Sequence, residues 1–218
     1  MWDVTEILRA LDLLSAVVFA ITGGLVASRK GLDLVGFLWL GVITGVGGGT
    51  LRDLLLGVPV FWVHDPTPVA LCLLVSGLLH FTAHVVTSRY RLILWLDAAG
   101  MALVAVAGTA KGLDSGVGAL VAIMMGVITA SVGGIVRDLL GQEPSILLRR
   151  EIYITAAALG AATFVLVQSV FVPRELAMAC GLVAAFSLRG LAIRFNLSLP
   201  PYRQRPGRPP GGTGQPRP

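Results

Sequence analysis

Long apolar stretches alternate with short polar ones along the chain, and this pattern predicts seven membrane-spanning helices. Each apolar stretch is close to the roughly 20 residues that a helix needs to cross a bilayer. The polar interruptions carry Arg, Lys, Asp, Gly and Pro, which commonly end such helices. The predicted helices cover residues 7–27, 33–57, 68–87, 92–110, 114–140, 152–171 and 175–193. We therefore expect an all-α membrane protein.

Composition supports this assignment. Of the 218 residues, 55% are hydrophobic and only 13% are charged, whereas a soluble domain carries about a quarter charged residues. A transmembrane β-barrel would show short alternating segments, and none are present. The net charge of +5 comes from Arg and Lys at helix ends and in the tail, a membrane pattern that makes lipid, and not nucleic acid, the expected partner.

Two stretches of the chain repeat each other. GVITGVGGGTLRDLLLGVP (41–59) and GVITASVGGIVRDLLGQEP (126–144) have equivalent residues 85 positions apart, as do Asp12 and Asp97. The repeat predicts three helices in each copy, at 1–91 and 92–172, an extra helix at 173–195 and a disordered basic tail at 196–218. Because three is odd, the second copy must cross the membrane in the opposite direction, which gives an inverted repeat.

The distribution of positive charge predicts the orientation. Arg and Lys are more frequent at one set of helix ends, and the richer side is normally cytoplasmic. We therefore expect the N-terminus outside and the C-terminus inside the cell. Lys111, on the poorer side, is expected to be an interfacial charge that extends toward water. The basic residues of the richer side are Arg29, Lys30, Arg89, Arg91, Arg149, Arg150, Arg203, Arg205, Arg208 and Arg217.

The glycine clusters are the first candidates for a functional site. Missing side chains allow a kink, a close backbone approach or exposed carbonyls in the membrane. Tight helix packing without a pore is the alternative interpretation. Matched clusters in both halves favour a pore, in which a branched residue would obstruct the pathway. The candidate hinge glycines are Gly47, Gly48, Gly49, Gly133 and Gly134.

Charged residues follow both clusters. Charges inside a span are costly and usually face the protein interior or water. They flank the two vestibules of one pathway, or they form ion pairs that hold the helix ends. Adjacent residues point in different directions on a helix, so each Arg is expected to pair with something other than the neighbouring Asp. The candidates are Arg52, Asp53, Arg137 and Asp138, with the symmetric acidic residues Asp12 and Asp97.

Other candidate chemistry is sparse. Thr44, Thr129 and Ser131 could face a pore, but such hydroxyls more often bond a carbonyl of their own helix. His80 and His84 have no accompanying Glu or Cys, so we expect no metal site. Signatures of hydrolases, metalloproteases and nucleotide-binding loops are missing. We expect no enzyme activity and no cofactor, apart from permeant K⁺ or Na⁺ and bound lipid.

The duplicated motifs GVGGGTLRD and SVGGIVRD, in a chain of 3+3+1 helices, resemble the trimeric intracellular cation channels, specifically the prokaryotic members. The resemblance covers about residues 7–193. It implies a homotrimer in a bacterial or archaeal cell membrane, with a pore in each protomer. Glycine-kinked helices at 33–57 and 114–140 would line this pore and pass monovalent cations, chiefly potassium. Val132 stands where the first copy has Gly47, so the two kinks need not be equivalent.

Two other functions remain open. Inverted repeats with interrupted helices also fit a secondary transporter of a small amino acid such as glycine, a function proposed for related bacterial sequences. A membrane scaffold without transport would show tight packing and no wet pathway. The chain lacks a filter sequence such as TVGYG, so strong selection of potassium over sodium is not indicated.

The predicted orientation can be tested by cysteine labelling in intact cells. Ser115→Cys should react with an impermeant thiol reagent added from outside, whereas Ser88→Cys should not, because the basic helix ends lie inside. Labelling of Ser88→Cys alone would reverse the orientation.

Overall fold

A computed structural model describes residues 4–85, 89–143 and 152–199. Within these ranges the chain forms eight α-helices and one turn of 3-10 helix. They are α1 (Val4–Lys30), α2 (Leu34–Leu56), α3 (Phe61–His64), α4 (Thr67–Thr82), the 3-10 turn (Ala83–Val85), α5 (Arg89–Asp114), α6 (Ala119–Leu140), α7 (Ile154–Gln168) and α8 (Arg174–Phe195).

Each apolar stretch found in the sequence corresponds to a helix. In the described ranges, six helical segments are long and apolar enough to cross a membrane: α1, α2, α4 with its 3-10 turn, α5, α6 and α8. The remaining predicted span corresponds to α7, which is apolar but only 15 residues long. The sequence did not predict α3, a single turn after Pro59.

Helix boundaries follow local chemistry. Asp33 caps α2, since its Oδ1 accepts a hydrogen bond from the backbone N–H of Gly36 at 2.8 Å. Gly57 ends α2 in the left-handed conformation, with φ of 67°. The predicted boundaries at 110 and 114 are wrong: α5 continues to Asp114 and α6 begins at Ala119. The intervening turn includes Gly116, whose φ of 79° favours glycine.

Some sequence predictions lie outside the described residues. These concern Ser88, Pro144, Arg149, Arg150 and the tail from residue 200 onward.

Equivalent helices in the two halves pack through the same glycines. A Cβ placed on Gly23 of α1 would lie 2.8 Å from Thr44 Oγ1 of α2, and one on Gly108 of α5 would lie 2.7 Å from Thr129 Oγ1 of α6. Both the glycines and the threonines are 85 positions apart. The repeated sequence therefore produces a repeated helix pair, α1 with α2 and α5 with α6.

Small residues also bring α7 against α8. A Cβ on Gly160 would lie 2.8 Å from the carbonyl oxygen of Gly181, and a Cβ on Gly181 would lie 2.8 Å from that of Gly160. Tyr153, just before α7, is buried, and its hydroxyl donates to Ala130 O of α6 at 2.9 Å. Close backbone approach is typical of membrane helices, which gain little from burying apolar side chains against each other.

Gly126 tests whether this close packing is required. A methyl group at Gly126 would collide with Ala105 O and Thr109 Oγ1 of α5, so Gly126→Ala should destabilise the protein by about 1–3 kcal/mol. Thermal unfolding of the detergent-solubilised protein measures this. Gly77→Ala on α4 is the matched control, because its Cβ would meet Leu38 at an ordinary 3.7 Å. Equal stability of Gly126→Ala and the wild type would contradict the packing argument.

Candidate ion pathway

One buried charge cluster centres on Arg52, near the C-terminal end of α2. Its Nε donates to Asp53 Oδ1 at 2.8 Å, and its two terminal nitrogens reach the carboxylate of Asp12 on α1 at 3.1 and 3.4 Å. Lys111 of α5 places Nζ 2.8 Å from the same Asp53 oxygen. The other oxygen of Asp53 accepts the backbone N–H of Phe61 at 2.9 Å. We call Asp12, Arg52, Asp53 and Lys111 the Arg52 cluster.

A second cluster centres on Arg137, near the C-terminal end of α6. Its Nη1 donates to Asp97 Oδ1 of α5 at 2.6 Å and to Thr22 Oγ1 of α1 at 3.0 Å. Its Nε and Nη2 both donate to Asp138 Oδ1, at 3.0 and 2.9 Å. We call Thr22, Asp97, Arg137 and Asp138 the Arg137 cluster.

The two clusters are equivalent in sequence but not in charge. The arginine and both carboxylates of one lie 85 positions before those of the other. Lys30, which aligns with Lys111, binds Glu143 instead, with Nζ 3.7 Å from Oε1. The Arg52 cluster therefore holds two cations and two carboxylates, whereas the Arg137 cluster holds one cation and two carboxylates.

Two expectations about these charges are wrong. Each arginine does bind the neighbouring aspartate, because its long side chain can fold back while its remaining donors reach a second carboxylate. Lys111 is not simply an interfacial charge, since it pairs with the fully buried carboxylate of Asp53. The prediction that each arginine has a further partner is correct, and that partner is Asp12 or Asp97.

Burial makes the pairing necessary. Arg52 and Asp53 are 0% exposed, and Arg137 is 2% exposed. An ionised group without a partner is very costly in such surroundings. Each arginine therefore joins neighbouring helices firmly: Arg52 holds α2 to α1, and Arg137 holds α6 to both α5 and α1.

The glycine clusters lie where α2 and α6 cross. A Cβ on Gly48 would collide with Thr129 O of α6, and one on Gly133 would lie 2.6 Å from Thr44 O of α2. Because Gly48 meets Thr129 while Thr44, four residues earlier, meets Gly133, the two helices run antiparallel. Arg52 and Arg137 each lie four residues beyond their glycine, so they extend from the crossing in opposite directions, about 6 Å along each helix.

The glycines of the two clusters have different surroundings. Both helices continue through the clusters, so neither is interrupted there. A Cβ on Gly47 would meet nothing within 4 Å, whereas one on Gly49 would lie 2.7 Å from the ring of Phe61. Gly134 is buried on α6. Gly48 and Gly133 thus make the close backbone approach expected of a packing seam, and Gly47 alone of these positions faces open space.

The hydroxyls near the glycines bond their own helices, as the commoner pattern predicts. Thr44 donates to Leu40 O at 2.5 Å and Thr129 to Met125 O at 2.5 Å. Ser131 donates to Val127 O at 2.7 Å.

A pocket adjoins each charge cluster. Beside the Arg137 cluster the free volume is about 20 Å³, enough for one water molecule. Beside the Arg52 cluster a wider pocket of about 330 Å³ contacts Asp12, Lys111, Phe61 and Asp65. The antiparallel crossing of α2 and α6 separates the two clusters, and the contacts of Gly48 and Gly133 close the space between these helices.

Sequence reasoning missed the segment that covers the Arg52 cluster. Trp62 of α3 donates its indole N–H to Thr50 Oγ1 of α2 at 2.8 Å. Beyond α3, Asp65 binds Arg9 of α1 at 2.7 Å. Hydrogen bonds from the hydroxyl and backbone N–H of Thr67, together with Arg9, lower the pKa of Asp65. The aromatic pair in a loop between two predicted spans was the available signal.

Arg189 was also missed. It lies on α8, is 2% exposed, contacts the pocket of the Arg137 cluster and has its guanidinium carbon 5.3 Å from the ring centre of Tyr153. An arginine inside the apolar stretch 175–193 is itself a signal, because intramembrane charge usually faces the protein interior.

Comparison with known proteins gives consistent matches over most of the chain. A family described as "Glycine transporter" matches twice, at residues 9–84 and 94–169, which confirms an internal duplication with an offset of 85. The inner membrane protein YadS of Escherichia coli (strain K12), a UPF0126 protein, is 42% identical over 198 residues, covering 88% of this chain and 94% of its own.

Solved structures are also similar. An orthologue from Rhodobacter sphaeroides, described as a TRIC trimeric intracellular cation channel, is 53% identical with a TM-score of 0.85, covering 87% of this chain and 98% of its own. This chain belongs to the prokaryotic TRIC family. Another TRIC cation channel is 30% identical with a TM-score of 0.80, covering 90% and 98% of the two chains. This TRIC-family chain is therefore a bacterial multi-pass membrane protein.

The two clusters of this TRIC-family chain provide a matched stability test. Asp97→Asn should destabilise the protein by roughly 3–5 kcal/mol, because it leaves buried Arg137 without its 2.6 Å carboxylate partner. The equivalent Asp12→Asn should cost less, since the side chain of Asp12 is 18% exposed against 3% for Asp97. Thermal unfolding followed by size-exclusion chromatography measures both variants. A larger loss for Asp12→Asn would contradict the assigned difference in burial.

Proposed function

We propose that the chain is a monovalent cation channel, chiefly for potassium, which works as a homotrimer with a pathway in each protomer. The observation that carries this proposal is the pair of pockets, each lined by carboxylates and paired cations, at opposite ends of one antiparallel helix crossing. The relatives described as TRIC cation channels support the same activity. Proteins that conduct ions need hydrated vestibules joined by a short constriction, and the α2–α6 crossing is the natural constriction.

The charge clusters account for cation preference despite two arginines on the route. Each guanidinium is neutralised by two carboxylates, so a passing ion does not meet an isolated positive charge. Three carboxylates, those of Asp97, Asp138 and Glu143, line the pocket beside the Arg137 cluster together with three arginines. Of these, Asp97 has one oxygen without a hydrogen-bond partner among the described residues. This carboxylate oxygen, turned to the pocket, favours cations over anions.

The repeat supports a single route through the protomer. Residues 1–91 and 92–172 form two inverted repeats in this proposal, and residues 173–195 stand outside them. The antiparallel crossing of the equivalent helices α2 and α6 agrees with an inversion axis in the membrane plane. The N-terminus lies outside and the C-terminus in the cytoplasm, as the positive charge of the helix ends favours.

Opening requires a change at the crossing. Gly48 and Gly133 bring the two helix backbones together, so ions pass only if α2 and α6 bend or separate there. The glycine clusters lower the cost of such bending, because glycine has no side chain to restrain the backbone and is a poor helix former. Gly47, which faces open space, lies within the pathway.

A carrier of a small amino acid such as glycine is the second candidate. A closed centre between two pockets is also the arrangement of a transporter with alternating access, and the matching family is described as a glycine transporter. The two functions differ in kinetics. A channel passes potassium current without saturation at low millimolar concentrations, whereas a carrier shows saturable, ion-coupled uptake of glycine.

The decisive experiment measures potassium flux through purified protein in liposomes. Gly47→Val should reduce the flux strongly while native mass spectrometry still gives three copies, because a Cβ at Gly47 meets no atom of the protomer within 4 Å. Gly48→Val is less informative, since its side chain would force α2 and α6 apart. Gly77→Val on α4 is the matched control and should keep its flux.

One outcome would contradict the assigned pathway and another would overturn the channel itself. Trimers of Gly47→Val that pass undiminished potassium flux would remove Gly47 from the pathway. Wild-type protein that takes up glycine saturably but carries no potassium current would be a carrier.

A further inference from the structure

A pocket between the start of α5 and the end of α8 adjoins the pocket of the Arg137 cluster, with which it shares Tyr90 and Leu94. It has a volume of about 580 Å³, within the range of small-molecule sites. Its lining combines guanidinium groups, aromatic rings and aliphatic side chains. The lining residues are Tyr90, Arg91, Leu94, Trp95, Ile193 and Arg194. We call it the α5–α8 pocket.

Neither arginine of this pocket has an acidic partner in the part of the chain that the structure describes. Within the described ranges no carboxylate lies within ion-pair distance of Arg91, and the recorded contact of Arg194 is the ring of Phe195 at 6.0 Å. This differs from Arg9 and Arg174, which bind Asp65 and Asp114. Two exposed guanidinium groups at the ends of neighbouring membrane helices therefore present uncompensated positive charge to one pocket.

Trp95 forms the floor of the pocket. A Cβ on Gly190 of α8 would lie 3.3 Å from the Trp95 ring, so glycine allows the indole to rest against that helix. Phe186, one turn before Gly190 on α8, has its ring centre 6.1 Å from that of Trp95. Tryptophan favours the boundary between lipid headgroups and hydrocarbon, which assigns this level of α5 and α8 to that boundary.

An apolar groove begins one helical turn beyond Trp95 and is lined by α5, α8 and α1. Its volume is about 400 Å³, and its lining side chains are all apolar. Ala99 and Leu103 follow Trp95 at helical spacing on α5, so the groove extends about 12 Å toward the membrane centre. The groove is lined by Leu14, Val18, Ala99, Ala102, Leu103, Leu182, Val183 and Phe186.

We infer that the α5–α8 pocket and its groove bind one anionic glycerophospholipid. The phosphate lies between Arg91 and Arg194, where guanidinium groups can donate paired hydrogen bonds to its oxygens. An acyl chain lies along the groove below Trp95. The arginines, Trp95 and the apolar groove follow one another in the same order as the headgroup, the interface and the acyl chain of a phospholipid. Basic pockets between membrane helices are suited to anionic headgroups. A soluble anion would use the arginines but not the groove.

The test measures thermal unfolding of the purified full-length protein in detergent with added phosphatidylglycerol, phosphatidylcholine or inorganic phosphate. Phosphatidylglycerol should stabilise the protein saturably and bind at least about tenfold more tightly than phosphatidylcholine, since each arginine near an anionic lipid contributes roughly a fivefold factor. The double variant Arg91→Gln/Arg194→Gln should lose this preference. Arg9→Gln, which removes one charge at the opposite helix end, should keep it.

Three outcomes would overturn the assignment. These are equal stabilisation by the two lipids, an unchanged preference in the double variant, and stabilisation by inorganic phosphate as strong as that by phosphatidylglycerol. The last would indicate an anion site without lipid.

A second measurement does not depend on folding of the double variant. Brominated acyl chains quench nearby tryptophan, so brominated phosphatidylglycerol should quench wild-type fluorescence more than brominated phosphatidylcholine does. The conservative variant Trp95→Phe should abolish this difference. A difference that survives in Trp95→Phe would place the lipid elsewhere and refute the site.

Discussion

The structure depends on one constraint: a guanidinium group inside a membrane protein must be neutralised where it lies. Arg52 and Arg137 meet this constraint in the same way, each using the adjacent aspartate and one aspartate from a neighbouring helix. These contacts fix α2 to α1 and α6 to α5. They also fix where the carboxylates lie, so the pairs that stabilise the helices also place charged groups at the two pockets.

Small residues determine how closely the charged helices approach. Gly48 and Gly133 bring α2 and α6 into backbone contact, and the antiparallel crossing carries the two arginines away from each other. The packing seam and the proposed constriction are therefore the same contact. The packing and pore interpretations of the glycine clusters are compatible, with Gly48 and Gly133 serving the seam and Gly47 facing open space.

The two halves differ in the contacts that their equivalent charged residues make. Lys111 adds a second cation to the Arg52 cluster, whereas Lys30 is held by Glu143. Arg137 instead reaches Thr22 of the other half. Each cluster thus has one contact that joins the two halves, an ion pair in one case and a hydrogen bond from a guanidinium to a neutral hydroxyl in the other. These two contacts consequently differ in their sensitivity to salt.

The sequence by itself determined the membrane class, the apolar helices, the duplication and the positions of the glycine and Arg-Asp motifs. Hydropathy and residue spacing are local properties, and a duplication is visible without a fold. Only the tertiary structure decided the partners of Arg52 and Arg137, the role of Lys111, the cover formed by α3 and the different surroundings of Gly47 and Gly48. These contacts depend on which helices pack together and on how far along each helix the facing residues lie. Asp12 lies 40 residues before Arg52, and no local pattern specifies a contact over that distance.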